Sequence, residues 1–253
     1  DLHSFPTRRS SDLEIIEGNL SMHPLDFNNG HHELNITRLQ FTFDDLKDFY
    51  IPSSSKTIPL PESLRPLKTG KVALNFSGSY NDFYSKVNLV SGIGNVDLYL
   101  WREKKDDGDN VFSGTIDAER IDAGLIANAR KIVGCLDLNA DFMAIVPKKG
   151  NVELTMMGTA NQAELLGHHL NKVNLIGDMK ENRFIGNLDV DDKVLGLNFH
   201  GLVDFNDKKY PIANFEAEID HADLKALGLV KNDSVSEIRS SIVANLRGFD
   251  IDL

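Results

Sequence analysis

The residues able to do chemistry in this chain are scattered rather than assembled. Histidines stand at His23, His31–His32, His168–His169, His200 and His221, with His3 in an atypical N-terminal stretch. Neighbours on a strand point to opposite faces, so neither adjacent pair can chelate one ion from a strand. No H-E-x-x-H and no C-x-x-C occurs. "DDGDN" at 106–110 begins like a calcium loop but lacks the glycine and the bidentate glutamate such a loop needs, and reads as a polar hairpin turn. "SGIGNVD" at 91–97 offers Gly92 and Gly94 without a third glycine or a following helix, so it fails as a dinucleotide loop. No G-x-S-x-G elbow is present. The single cysteine, Cys135 in "IVGCLDLNA", rules out an intrachain disulfide and reads as a small buried apolar residue. Asp137, Asp141, Asp189, Asp204 and Asp220 all fall at polar positions of alternating segments, where a solvated face explains them. A non-catalytic protein without metal or cofactor is therefore expected.

The elements that carry these residues show a period of two. "LDLNADFMA" sets Leu136, Leu138, Ala140, Phe142 and Ala144 on one face and Asp137, Asn139 and Asp141 on the other. "LGLNFHGLVDF" does the same with Leu195, Leu197, Phe199, Gly201, Val203 and Phe205. Shorter versions are Val72/Leu74/Phe76, Val96/Leu98/Leu100, Phe112/Gly114/Ile116, Val152/Leu154/Met156, Phe184/Gly186/Leu188/Val190, Ala213/Phe215/Ala217/Ile219 and Ile242/Ala244/Leu246. Strict alternation predicts antiparallel strands with one apolar and one solvated face. Turn signals separate them at 106–110, 147–151, 178–182, 191–192 and 206–211, giving a meander of about ten to thirteen strands. Such a meander can close into a barrel, fold over as a sandwich or curl into an open trough. Glycines at 114, 186 and 201 interrupt the apolar face where strands bend.

Three short stretches read as helical: 44–51, 119–133 and 223–230. "FSGTIDAERIDAGLI" (112–126) matches "FEAEIDHADLKALGL" (215–229) position by position, and "DDLKDFYI" echoes their second half. This suggests a repeating unit of several strands closed by a helical turn. Four prolines fall in "IPSSSKTIPLPESLRP" (51–66), which cannot be a central strand and reads as a boundary between modules.

The net charge of −11 argues against a nucleic-acid partner, whose phosphates demand a basic footprint. No apolar run approaches the ~20 residues of a membrane span. Asp1–Leu13 has neither periodicity nor the apolar core of a signal peptide. Written as codons it matches a common sequencing adapter, so residues 1–13 are read as non-native.

At "GKVALNFSGSYNDFYSKVNLVSGIGNVDLYL" (70–100), through Phe76, Gly78, Ser79, Asp82, Phe83, Gly94, Asp97 and Leu100, the chain resembles the TamB (translocation and assembly module) family of AsmA-like envelope proteins. "FIGNLDVDDKVLGLNFHGLVDFND" (184–207), followed by 215–229, resembles the family's recurring block, and "IVANLRGFDIDL" (242–253) the start of its next strand unit. The resemblance implies a mainly β fold: a long antiparallel meander curled into an open trough, β-taco-like, with a few short helices. It divides the chain into residues 14–57, strands of a preceding repeat unit, and 58–253, groove repeats cut at the C-terminal end. It implies a periplasmic segment of a protein anchored in the inner membrane of a Gram-negative bacterium. The expected task is lipid transfer and outer-membrane biogenesis and protein assembly. Phospholipid acyl chains would be the groove's partners, and an outer-membrane assembly protein would be met through other regions. Candidate groove-lining residues are Val72, Leu74, Phe76, Val96, Leu98, Leu100, Leu136, Leu138, Phe142, Leu154, Phe184, Leu188, Leu195, Leu197, Phe199, Val203, Phe205, Phe215 and Ile219. The alternative is a β-rich adhesin or carbohydrate-binding module. That would present exposed aromatics, for which Trp101 is the only tryptophan.

Overall fold

The structure, a computed structural model, describes residues 15–23, 30–44, 50–51, 56–57, 65, 67–126, 130, 133–165, 167–204, 206–207, 210–230 and 237–248. Alternation becomes strands throughout. They are β1 (Ile15–His23), β2 (His31–Thr42), β3 (Tyr50–Ile51), β4 (Lys56–Thr57), β5 (Thr69–Gly78), β6 (Asp82–Ser91), β7 (Gly94–Lys104) and β8 (Asn110–Asp122). After a helical turn, α1 (Ala123–Ile126), follow β9 (Val133–Val146), β10 (Glu153–Leu165), β11 (His168–Lys180), β12 (Arg183–Asp191), β13 (Leu195–Asp204), β14 (Ile212–Asp223) and β15 (Glu237–Arg247).

Thirteen of these strands form one antiparallel sheet in chain order, β1-β2-β5 and then β6 through β15. Its first and last strands do not pair with each other, so the sheet is an open trough and not a barrel. At about 4.8 Å per strand it runs about 58 Å across. β3 and β4 form a separate two-stranded ribbon within the proline-rich stretch, while β2 pairs directly with β5. The large sheet is therefore continuous from β2 to β5, with the ribbon apart from it; the four prolines lie outside the described residues.

All five turn signals fall at strand ends. The 178–182 turn is a two-residue hairpin between Lys180 and Arg183, with Glu181 and Asn182 at φ 50° and 59°. Two successive left-handed residues are what a hairpin twisting with its strands requires. "DDGDN" is a hairpin turn, closed by Lys105 N–H to Asp109 O at 2.8 Å.

The helical expectations at 119–133 and 223–230 are corrected in part. Of 119–133, residues 119–122 belong to β8, among the described residues only Ala123–Ile126 is helical, and 127–129 and 131–132 lie outside them. Ile121 continues the apolar face opposite Leu136, and Asp122 Oδ1 accepts from the Leu125 amide at 2.8 Å, capping a single turn. At 223–230 the chain forms successive turns. Asp223 Oδ1 accepts from Lys225 and Ala226 at 3.0 Å, and Gly228 at φ 64° ends the coil before a second helical turn can form. In 44–51 only Asp44 is helical, Tyr50–Ile51 is strand, and 45–49 lie outside the described residues. Of the stretch 242–253, Ile242–Arg247 is the second half of β15, and 249–253 lie outside the described residues.

Every register shift lies toward one end of the strands. They interrupt the pairing at Glu17/Gly18, Ile36/Leu39, Ala118/Ile121, Ala160/Gln162, Ala163/Leu165, Gly196/Leu197 and Ile219/Ala222. In β8 the bulge is held by Arg120 at φ 51°, whose amide donates to Asp137 Oδ1 at 2.6 Å. Bulges bend a strand and increase its twist, which draws the apolar surface together at that end. The large buried apolar side chains collect there. Leu170, Val173 and Val190 pack with Ala160 and Ala163, and Phe41 packs with Leu67 and Ile93. β2, β8 and β14 each carry a bulge shortly before a turn at this end, so the internal sequence repeat is also a structural one.

Candidate functional site: the apolar face of the trough

Opposite residues of an antiparallel pair share a face, so the register traces each row of side chains across the sheet. One row runs Leu39, Val72, Leu89, Val96, Ala118, Leu138, Ala160, Val173, Val190, Leu197 and Ile219. The next runs Ile36, Leu74, Val87, Leu98, Ile116, Ala140, Gly158, Leu175, Leu188, Phe199, Ala217 and Ile242. Two more rows carry Phe76, Leu100, Phe142, Met156 and Phe215, and Phe83, Phe112, Leu154, Met179, Phe184 and Val203. All the nominated lining residues except Phe205 therefore lie on one face, whereas Phe205 lies outside the described residues.

The burial pattern says how this face is covered. Each of those nominated residues is half-buried and none is fully buried. The buried set on the same face is instead rich in alanine: Ala118, Ala140, Ala160, Ala163, Ala213, Ala217 and Ala222. A short side chain is shielded by its larger neighbours within one layer. A Leu or Phe is fully shielded only when a second layer closes over it. At the bulged end Leu170, Val173, Val190 and Phe41 are buried; elsewhere, among the described residues, the face is packed sideways and open above.

Aromatic rings level its floor. A Cβ on Gly177 or Gly186 would meet the Phe184 ring at 2.6 Å, and one on Gly201 would meet Phe199 at 2.8 Å. The rings lie across neighbouring glycines and fill the space a side chain would occupy. At Gly114 the constraint is backbone: a Cβ would stand 2.1 Å from Tyr99 O. Phe199 and Phe215 add a tilted pair at 5.3 Å.

Arg102 breaks the apolar pattern, and the sequence reading missed it. It lies between Phe83 and Phe112 in the row at the unbulged end, with 9% of its surface exposed. Its guanidinium sits 4.3 Å from the Tyr80 ring centroid and donates to Tyr80 O and, at 2.7 Å, to Asn110 Oδ1. Here the cation clamps the Ser79–Asp82 turn to the β7–β8 hairpin.

The opposite face is solvated. Asn88, Asp97, Asp117, Asn139, Thr159, Asn174, Asp189 and Asn198 form a continuous polar row. Asn88 Nδ2 donates to Asp97 at 2.7 Å, and Thr159 Oγ1 to Asn174 at 2.8 Å. Asp137, Asp141, Asp189 and Asp204 stand on this face as their alternation requires. Asp220 sits in the β14 bulge, outside the pairing. Met143, Met157, Ile176 and Ile185 are exposed among the polar residues, which composition alone did not signal.

Cys135 is corrected: it is exposed on the polar side, opposite Asp122. The same alternation that turns Leu136 inward turns Cys135 outward. Partial desolvation, with the carboxylates of Asp122 and Glu164, pushes its thiol up from the ordinary value and keeps it protonated. The two histidine pairs divide between faces: His32 is buried while His31 is exposed. Among the described residues no group of three His, Cys, Asp or Glu side chains could hold a metal ion.

Asp192 is the best-held carboxylate. It opens the β12–β13 turn, is buried, and accepts from Asn171 N and Nδ2 at 3.1 and 2.9 Å and from Val194 N at 2.9 Å. Its own carbonyl meets His221 Nε2 at 2.8 Å. Burial alone would raise its pKa, but these hydrogen bonds outweigh it and hold the carboxyl below the ordinary range. Four strands are joined at this point.

Among the described residues no helix is long and apolar enough to cross a membrane. No family model, no curated protein and no solved structure matches the chain.

Proposed function

We propose that the open apolar face is a groove for lipid acyl chains, and that the chain is a segment of a TamB-like conduit in the cell envelope. The conduit serves lipid transfer, outer-membrane biogenesis and protein assembly. One observation carries the reading: rows of apolar side chains cross the sheet, and away from the bulged end no second layer lies over them among the described residues. Exposed apolar surface of that extent marks an interaction site. An acyl chain laid across the strands gains ~0.8 kcal/mol per buried CH₂. Successive strands offer nearly equivalent contacts, so the chain can move along the floor without a deep trap. The headgroup stays in water beyond the rim. In this reading the working residues are the half-buried Leu, Val and Phe, and none is catalytic. Docking to an outer-membrane partner falls to regions outside this chain.

The test is photocrosslinking with a photoreactive aromatic residue at Phe142 or Phe199, compared with Met143 or His200 on the other face. Phospholipid vesicles carrying a radiolabelled lipid supply the cargo. Labelling confined to Phe142 and Phe199 is the expected outcome. Equal labelling of both faces would exclude the groove.

A further inference from the structure

The polar face holds an aromatic surface that the groove does not use. Trp101 is 45% exposed, and the ring of Tyr84, its direct partner across β6 and β7, lies 5.2 Å away at a 46° tilt. An indole left in water on the solvated side, while an apolar face stands behind it, is the informative kind of exposure. The pair sits in a depression of about 380 Å³ that also touches Ser77, Asp82, Glu103 and Ser113. A second depression of about 490 Å³ shares Ser77 and Tyr84 and runs toward β1 past Asn75 and Glu33. Together they extend from β1 to β8, about 24 Å across six neighbouring strands.

We propose that this cleft binds a neutral oligosaccharide. A pyranose ring has an apolar C–H face that lies flat on an aromatic ring. Its hydroxyls need amide, hydroxyl and carboxylate partners around the rim, which is what these side chains supply. An anionic ligand is poorly served. Lys105 is tied to Glu103 at 2.6 Å, Lys86 lies over the Tyr99 ring at 5.0 Å, and the Arg102 guanidinium is engaged by Tyr80 and Asn110. Two tilted rings do not make the enclosing cage that a quaternary ammonium prefers. The depressions also touch Phe76, Phe83 and Arg102 of the apolar rows, but Tyr84 and Trp101 alternate with those rows and stand on the opposite face.

Trp101 is the only tryptophan in the chain, so its emission reports on this site alone. The folded chain is titrated separately with maltohexaose, cellohexaose and chitohexaose. At least one should give a saturable change in emission. Tyr84→Ala should weaken that binding about tenfold with an unchanged circular dichroism spectrum. Trp101→Phe, followed by calorimetry, should weaken it as well. Absence of a saturable change with all three sugars overturns the proposal, and so does binding unaffected by Tyr84→Ala. A response to choline chloride with none to the sugars overturns it in favour of a cation site.

Discussion

At the scale of single residues, the half-buried and the fully buried side chains have different tasks. Asp192 belongs to the second kind: its hydrogen bonds tie Asn171 of β11 to the turn before β13. A carboxyl held below its unfolded value stabilises the fold above that value, ~3.9, and the contribution is lost as pH falls through the lower folded value. Asp192→Asn should therefore cost about 1–3 kcal/mol at neutral pH, because an amide cannot accept all three bonds. The difference in melting temperature from the parent chain should shrink as pH is lowered from 5 toward about 2. A difference that stays constant over that range would show that the charge is irrelevant. Residue-scale chemistry was only partly legible in the sequence. Alternation assigned Asp137 and Asp141 to the solvated face correctly. The same alternation, applied to Cys135, gives the exposed position that composition statistics concealed. Arg102 was missed because its neighbours across the sheet, Phe83 and Phe112, are distant in sequence.

At the scale of elements, strands were legible and helices were not. A period of two survives in every strand because one face is packed against neighbours and the other meets water. The stretch 119–133 departs from a helix for a local reason. Residues 119–122 read as the start of a helix, but bulge residue Arg120 lets Ile121 rejoin the apolar face, so the strand wins the contest for those residues. Bulges leave little trace in composition, and their gathering at one end is a property of the register. β15 presents a further consequence. Nearly all its residues are exposed, Val243 by 78%, and among the described residues its outer edge has no partner. An unpaired apolar edge is a template for another strand. Sedimentation velocity should show association that grows with concentration, and Val243→Lys should reduce it while the circular dichroism spectrum is retained. A parent chain that stays monomeric across a wide concentration range would refute this.

For the whole molecule, the main fact is that the described residues form one large sheet whose apolar side is mostly uncovered by them. A closed sandwich hides its apolar surface until it unfolds; this sheet presents it in the native state. N-phenylnaphthylamine, which brightens in apolar surroundings, should therefore fluoresce with the folded chain at neutral pH and be displaced by phospholipid. Phe199→Asp should reduce the signal at least severalfold. Brightening seen only through the thermal transition would contradict an open face. The trough was one of three closures that alternation allowed. What decided among them, that β1 and β15 do not pair and that among the described residues no second layer covers the half-buried Leu and Phe side chains, is a tertiary fact.

The recurring strands β2, β8 and β14 fix how such a sheet can grow. From β2 to β8 there are four steps across the sheet, and from β8 to β14 six. Both counts are even, and each step reverses the chain. Each recurrence therefore delivers its bulge and turn to the same rim. Removing the hairpin Arg183–Asp204 would shorten the floor and leave β14 facing the same way. Removing β12 alone would send the β14 bulge to the opposite rim and bring like-directed strands together at the seam. The hairpin is the quantum of length here. Insertions and deletions that keep the sheet working come in pairs of strands, and a variant one strand out of step inverts everything downstream of it.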